Sequence, residues 1–338
     1  MERFGDGPTV SYWFYDKTVE VRYAHKPHIY YLVEHTFAGE EILTPLPNVS
    51  TVCHIIDKSE ILIPWACKVM ANKLLATVPV IKTPLGDQFV NMQLSDFERL
   101  VTESKRAHKD ILEDAGNVGT IAHNWIEMYI KSVLANDTVR RDEILSRFPE
   151  NERARNGVIA AMTWMQSHNV RWICTERKIY SREFRFSGTE DGKAMVDSCD
   201  DPLCCPTPFK DRVSTVDWKT SNYLYYEYIL QISAYDHADA EEFPEEASQD
   251  GWIIRLGKED AECETWHIED LPRHFETFML CLRLKADVDE AKVRLKARAD
   301  AIKASEPGSS GVFTRNHEDA KCQKPFILLR DFVASCEI

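Results

Sequence analysis

The sequence predicts an α/β fold carrying a β-rich and helical N-terminal elaboration. Three observations lead there. Residues 1 to about 50 alternate aromatic or β-branched residues with charged ones, the pattern of half-buried strands. From Gln93 to Ser167 the apolar residues recur at helical spacing, and beyond residue 170 short alternating strands and amphipathic helices succeed one another. At 338 residues the chain is large for one domain and small for two, so one elaborated domain is expected. Its segments would be 1–92, the N-terminal strands and helices, then 93–305, the core, and 306–338, a linker and tail.

Hydrophobic residues make up 44% of the chain, enough to bury a core. No run of about 18 apolar residues interrupts the polar background, and Met1-Glu2-Arg3-Phe4-Gly5-Asp6 does not begin a secretory signal. A soluble, cytoplasmic protein with no membrane partner is therefore expected. Ten cysteines without regular pairing suit reduced thiols better than a disulfide framework. The net charge of −14 argues against a nucleic-acid partner, since phosphate binding is driven by cationic side chains. The charge is unevenly spread, however. Asp236 to Asp270 holds 13 acidic and 2 basic residues, leaving the rest of the chain close to balanced, and Arg283 to Lys303 holds 7 basic against 4 acidic.

Taken in order, SYWFYDKTVEVRYAHKPHIYYLVEHTF gives strands broken by turns at Asp16-Lys17 and Lys26-Pro27; its aromatic alternation fits a half-buried sheet rather than a base-stacking platform. Pro47 to Thr77 turns helical, with a cap at Ser50-Thr51 and a break at Asp57-Lys58-Ser59. A second helix follows, whose Ile63, Trp65, Ala66, Val69, Met70, Leu74 and Leu75 form a stripe expected to pack in the core. Gln93 to Ala135 gives a helix capped at Ser95 with a basic face (Lys105, Arg106, His108, Lys109), then a second one after Gly116 and Gly119 that sets His123 and Glu127 one turn apart. Arg140 to Ser167 continues as helix with Ile159, Met162, Trp164 and Met165 inward. Strands follow: VRWICTERKIYS with Glu176, then EFRFSGTED, whose bend at Gly188-Thr189 would place Asp191 just beyond it, continuing toward AMVD. Asp197 to Arg212 looks like an inserted loop. After the next strand and helix, GWIIRLGKEDAECETWHIE reads as a hairpin and Pro272 to Lys303 as a long helix; Glu306 to Gly311 breaks it, and FILLRDF in the tail could dock.

The chemistry gathers at TVDWKTSNYLYYEYILQISAY. Asp217 and Lys219 are two apart on a strand and share a face. A carboxylate holds a hard divalent cation, and a neighbouring ammonium orients water and offsets charge on a phosphate. On the helix that follows, Tyr228, Gln231 and Tyr235 line one face. On spacing alone Asp-x-Lys is a solvated surface pair; the upstream Asp191 and the His123 helix give it context.

The order Gly119-x-x-x-His123, Gly188-Thr-x-Asp191, Asp217-x-Lys219, Gln231-x-x-x-Tyr235 resembles the PD-(D/E)XK nuclease superfamily, in its RecB-like, phage-type exonuclease branch. The stretch HIYYL followed by LPNVSTVCHIIDKSEILIPWACKVMA is similar to the leader of phage exonucleases of this group, and the resemblance runs from about His28 to Ile268. It implies a restriction-endonuclease-like core, a central mixed sheet flanked by helices. It also implies Mg2+ or Mn2+ held by Asp191 and Asp217, with His123 adding a nitrogen that suits Mn2+, the backbone carbonyl of Trp218 as a further ligand, and Glu176 nearby. Glu127, one turn on, would orient His123 or support the ligands from behind. Lys219 would position the attacking water, while Gln231, Tyr235 and Tyr228 hold the strand. The N-terminal helices would form a passage for DNA, making Lys58, Lys68 and Lys73 phosphate contacts beside the basic Lys105, Arg106 and Lys109.

The implied activity is a metal-dependent deoxyribonuclease, an exonuclease on single-stranded DNA or duplex ends. Its setting would be recombination, repair or replication in the cytoplasm of a bacterium or phage-infected host, with a recombinase or single-strand-binding protein as a further partner. A structure-specific or restriction-type endonuclease, or a non-catalytic DNA-binding or assembly protein, are the alternatives. Some RecB-like nucleases carry an iron–sulfur cluster on one cysteine before the core and three after it. Here the C-terminal region offers only Cys322 and Cys336, and the adjacent Cys204 and Cys205 are awkward for a shared tetrahedral site, so free thiols are expected at Cys199, Cys204 and Cys205 and a cluster is not. No GxxxxGK[ST] phosphate loop is present, so the chain is not itself a helicase.

Overall fold

The structure is a computed structural model and describes residues 8–82 and 88–305. The expectations for residues 306–338, including the linker, FILLRDF, Cys322 and Cys336, lie outside the described residues. The alternating N-terminus forms an antiparallel sheet, β1 (Thr9–Phe14), β2 (Val19–Ala24), β3 (Ile29–His35) and β4 (Glu41–Leu46), neighbours in that order. Its inward residues Phe14, Val21, Tyr30, Leu32 and Leu46 pack with Tyr180 from the main sheet. There follow α1 (Val49–Cys53), α2 (Ser59–Thr77), a two-stranded pair β5 (Val80–Lys82) and β6 (Gln88–Val90), then α3 (Leu94–Ser104), α4 (Ala107–Leu134), α5 (Thr138–Leu145) and α6 (Glu152–Ser167).

The main sheet comprises β7 (Arg171–Tyr180), β8 (Ser187–Val196), β9 (Arg212–Lys219), β10 (Asp250–Leu256) and β11 (Cys263–Ile268), in the order β11-β10-β9-β8-β7. Helix α7 (Tyr226–Glu242) carries the chain from β9 to β10, and a crossover of that length makes the pair parallel, while the other neighbours are antiparallel. The sheet is mixed and helices cover both faces. Alternation along β10 shows why: Trp252, Ile254 and Leu256 join Ala122, Ile126, Val158 and Trp164 of α4 and α6, whereas Ile253 joins Ile229 and Ile232 of α7 on the opposite side. The start of α8 (Leu271–Ser305) adds Phe275 and Phe278 to the α7 side. The chain divides into two units, Met1–Val288 and Asp289–Ile338, and every site below belongs to the first. Among the described residues no helix is long and apolar enough to cross a membrane.

Several elements depart from the sequence-based expectation. Asn48, not Ser50 or Thr51, caps α1, its Oδ1 accepting from the Ser50 N–H. Helix α4 runs unbroken through Gly116 and Gly119. Each interior glycine costs about 1 kcal/mol relative to alanine, which packing along a helix of 28 residues absorbs. Residues 140–167 do not form one helix; Asn151 starts α6 afresh by accepting from the Ala154 N–H, and Ile159 is exposed rather than inward. The stripe on α2 does not reach a core: no residue of that helix is buried, and Ile63 and Leu75 are 62% and 79% exposed. Its apolar residues lie all round the helix, so packing against α3 and α4 half-buries Trp65, Ala66, Val69, Met70 and Leu74 and leaves the others in solvent. Phe184 to Phe186 precede β8, which begins at Ser187 and passes straight through Gly188-Thr189, so Asp191 lies inside the strand and not beyond a bend.

Candidate metal centre and its lysine

The site forms where two strands part. β8 and β9 pair from Val196↔Arg212 to Gly192↔Val216; beyond that, Asp191 and Asp217 stand on strands no longer hydrogen-bonded in register. Asp191 Oδ2 instead accepts the backbone N–H of Trp218 at 2.9 Å, and its carbonyl accepts from Thr175 Oγ1 at 2.9 Å. Across from it β7 is distorted. Thr175 pairs with Gly192 and Arg177 with Glu190, but Glu176 between them has φ 50°. A non-glycine residue in that region costs about 1–3 kcal/mol. The pairs on either side set Glu176 directly opposite Asp191, and opposed residues of an antiparallel pair share a face, so the two carboxylates come to the same place.

The third arm comes from α4. His123 Nδ1 lies 3.8 Å from Asp191 Oδ2, and one ligand atom from each of His123, Glu176 and Asp191 falls within 4.8 Å of the others. All three are half-buried, open enough for an ion and a substrate oxygen. A nitrogen and two carboxylates suit Mn2+ or Mg2+. Gly119, one turn before His123, is where α4 approaches the end of β9: a Cβ there would stand 2.6 Å from Thr220 Oγ1. The glycine therefore sets how near His123 comes to the sheet.

Asp217 stands beside this group rather than within it. It is buried, and its Oδ2 lies 2.6 Å from Lys219 Nζ. The Lys219 ammonium also sits 4.8 Å from the centre of the Tyr228 ring. Burial pushes Asp217 up to about 7, against the pull of Lys219, and the Asp191 charge raises it further. Glu176 is likewise pushed up to about 7, by burial first and then by Asp191. Burial works to lower Lys219, but Asp217 and Asp191 raise it on balance, so its ammonium is held charged. Lys219 beside Asp217, and Lys178, whose Nζ lies 3.8 Å from Glu176 Oε2, do not bring either carboxyl back to its ordinary range, a deficit a divalent cation would fill.

Gln231 and Tyr235 are both buried on α7, and the Tyr235 ring lies against Gly188, where a Cβ would come within 2.9 Å of it. Burial, then Asp217 and Asp191, raise the Tyr235 hydroxyl well above its usual range and keep it protonated. Trp218 enters the site through its N–H, with its indole in the core. Glu127 does not orient His123; it pairs with Lys131 at 2.5 Å. Lys58 is likewise engaged, paired with Glu227 and 4.7 Å from the Tyr225 ring centre, because the loop before α2 brings it over the start of α7. Lys73 lies 3.9 Å from Asp110, while Lys68, Lys105, Arg106 and Lys109 are exposed.

Two features escaped sequence reasoning. Tyr30 of β3 reaches the site, its hydroxyl 2.8 Å from Thr189 Oγ1, a contact between residues far apart in the chain that alternation cannot announce. Beneath the site, buried Lys193 meets Asp239 at 2.5 Å and Asp236 at 3.6 Å, and Arg177 meets Asp239 at 3.0 Å and Glu246 at 2.6 Å. Much of the acidic Asp236–Asp270 stretch is therefore internal charge pairing, with Asp250 likewise held by Arg212 and His267. No protein-family model matches the chain, and no curated protein matches it.

Proposed function

We propose that the protein is a metal-dependent deoxyribonuclease with a PD-(D/E)XK core, acting as an exonuclease on single-stranded DNA or duplex ends. The observation that carries this reading is the adjacency of a metal-ligand group, His123, Glu176 and Asp191, to the buried Asp217 carboxylate and its partner Lys219, at the point where β8 and β9 separate. The order of the sequence motifs supports the same reading.

When bound, a Mg2+ or Mn2+ ion would polarise the scissile phosphate and lower the pKa of water. The residues supply the rest. His123, Glu176 and Asp191 would hold the ion, with the Trp218 carbonyl on β9 a further candidate. Asp217 keeps Lys219 charged and aimed; the ammonium orients the attacking water and stabilises negative charge developing on the phosphate oxygens. Gln231, Tyr235 and Tyr228, on the α7 face beside Lys219, position the strand. Lys68, Lys105, Arg106 and Lys109 are exposed cations available to phosphates farther along, which offsets the chain's net negative charge locally.

End-labelled linear and closed circular single-stranded DNA, incubated with Mg2+, Mn2+ or EDTA, test the proposal. Metal-dependent degradation of the linear strand alone is the expected result. Cutting of the circle would make the protein an endonuclease. Absence of cleavage with either metal on either DNA, by folded protein, would overturn a nuclease reading.

A further inference from the structure

A second group of ligand-type side chains lies away from this centre. The loop between β8 and β9 folds back so that Cys199, Cys204 and Cys205 surround His168, the residue that ends α6. One ligand atom from each of the four falls within 4.8 Å of the others. An Asx turn builds the loop: Asp201 Oδ1 accepts the Leu203 N–H at 2.9 Å, and its carbonyl accepts the N–H groups of Cys204 and Cys205 at 3.2 and 2.8 Å. This turn is what brings two adjacent cysteines to bear on one point, against the expectation that neighbours in sequence are awkward for a shared site.

The spacings fit one tetrahedral ion. With Zn–S of about 2.3 Å and Zn–N of about 2.0–2.1 Å, tetrahedral geometry puts sulfurs about 3.8 Å apart and a sulfur about 3.6 Å from the nitrogen. Here Cys199 Sγ and Cys205 Sγ are 3.5 Å apart, and Cys204 Sγ and Cys205 Sγ 4.0 Å. His168 Nε2 lies 3.6 Å from Cys204 Sγ and 3.8 Å from Cys205 Sγ.

The surroundings prepare those atoms as ligands. His168 Nδ1 is 3.0 Å from the Trp164 carbonyl, which can only accept, so Nδ1 carries the proton and leaves the Nε2 lone pair facing the sulfurs. The imidazole is buried and stacked on Trp164 with ring centres 4.8 Å apart, which fixes its plane. The Cys199 N–H donates to Cys205 Sγ at 3.4 Å, and the Thr265 hydroxyl of β11 lies 3.3 Å from Cys204 Sγ, the kind of contact that stabilises a metal-bound thiolate.

We propose that His168, Cys199, Cys204 and Cys205 form a structural zinc site that pins the β8–β9 loop to the end of α6 and to β11. Three sulfurs and one nitrogen select zinc over the hard cations suited to the carboxylate group. All four positions are filled by protein, so the site holds the fold and does not bind substrate. It depends on no reading of the nuclease centre.

The test uses the full-length, untagged protein purified under reducing conditions and dialysed against metal-free buffer. Elemental analysis is expected to find one zinc per chain, retained by Asp191→Asn and lost from Cys204→Ser and Cys205→Ser. Should those variants fail to fold, cobalt supplies the second measurement. Co2+ added to wild-type protein stripped of metal, with its circular dichroism intact, should give the intense thiolate-to-cobalt absorption and tetrahedral visible bands, bleached by one equivalent of zinc. Folded protein that contains no zinc and gives no cobalt–thiolate absorption would overturn the proposal. So would a Cys199–Cys205 disulfide in the native protein, or zinc that remains in folded Cys204→Ser and leaves with Asp191→Asn.

Discussion

The His123–Glu176–Asp191 group and the His168–Cys199–Cys204–Cys205 group belong to the same sheet unit, yet they are built on opposite terms. The first is mostly oxygen, half-buried, and set where β8 and β9 come apart. The second is mostly sulfur, has His168 and Cys205 buried, and lies in a loop that crosses back over finished structure. Cross-strand register aims the first, with Glu176 opposite Asp191, while the second is assembled by an Asx turn and a helix end. The difference teaches how one protein could keep two metals apart. Donor hardness selects the ion, and solvent access decides whether a substrate can reach it.

The largest expected effect separates the two at once. Lys219→Ala should lower DNA cleavage by about 100- to 1,000-fold or more, the usual scale for losing a group that stabilises transition-state charge. DNA binding, measured by anisotropy, and zinc content should stay as in wild type. A change of only about two-fold would remove Lys219 from the chemistry. Next comes Glu176→Gln, which keeps the shape and removes a carboxylate. Mn2+ affinity by titration calorimetry should weaken about 10- to 100-fold, with Asp191→Asn at least as severe and His123→Ala partly rescued by excess Mn2+. Unchanged Mn2+ affinity in Glu176→Gln would mean that its left-handed backbone serves packing alone, and the contrast between an open and a closed metal site would fail.

The unequal legibility of these sites in the sequence has a physical cause. Asp217 and Lys219 were readable because a strand's two-residue period is local, and their 2.6 Å contact follows from it. Glu176 was visible as a residue but not as a ligand, because its direction depends on register with a different strand. The zinc-type group was unreadable for a related reason: His168 and the cysteines are separated by two strands, and only the loop's return joins them. Helix α2 misled in the opposite sense. Apolar residues distributed all round a helix look like core in a sequence, but here Ile63 and Leu75 face solvent and Trp65, Ala66, Val69, Met70 and Leu74 are only half-buried, since nothing in the local pattern records how much of a neighbour exists. The strands and flanking helices of the main sheet were legible, because each buries one face and alternates accordingly.

A third gathering of ligand-type groups, Glu183, His237 and Glu241, sharpens the comparison because its most buried carboxylate, Glu241, is already satisfied. Glu241 Oε1 accepts from Ser181 Oγ at 2.5 Å and lies 3.4 Å from His237 Nε2, while Oε2 accepts from Tyr15 Oη at 2.9 Å and the Arg182 N–H at 2.8 Å. Burial alone would raise this carboxyl, but the hydrogen bonds from His237, Ser181, Tyr15 and Arg182 overcome it and hold Glu241 at about 2, below its ordinary 4.5. A folded-state value below the unfolded one means stability that is fully present above pH 4.5 and is lost as pH falls toward about 2. Glu241→Gln should therefore cost about 1 kcal/mol in urea unfolding near neutral pH, with the gap to wild type closing as the buffer is taken below that window. Mn2+ should still stabilise Glu241→Gln as it does wild type, because lone pairs committed to three elements of the fold have none to offer an ion. Loss of Mn2+ stabilisation in this variant, with Glu176→Gln unaffected, would move the metal from the strand separation to the seam between the N-terminal sheet and α7.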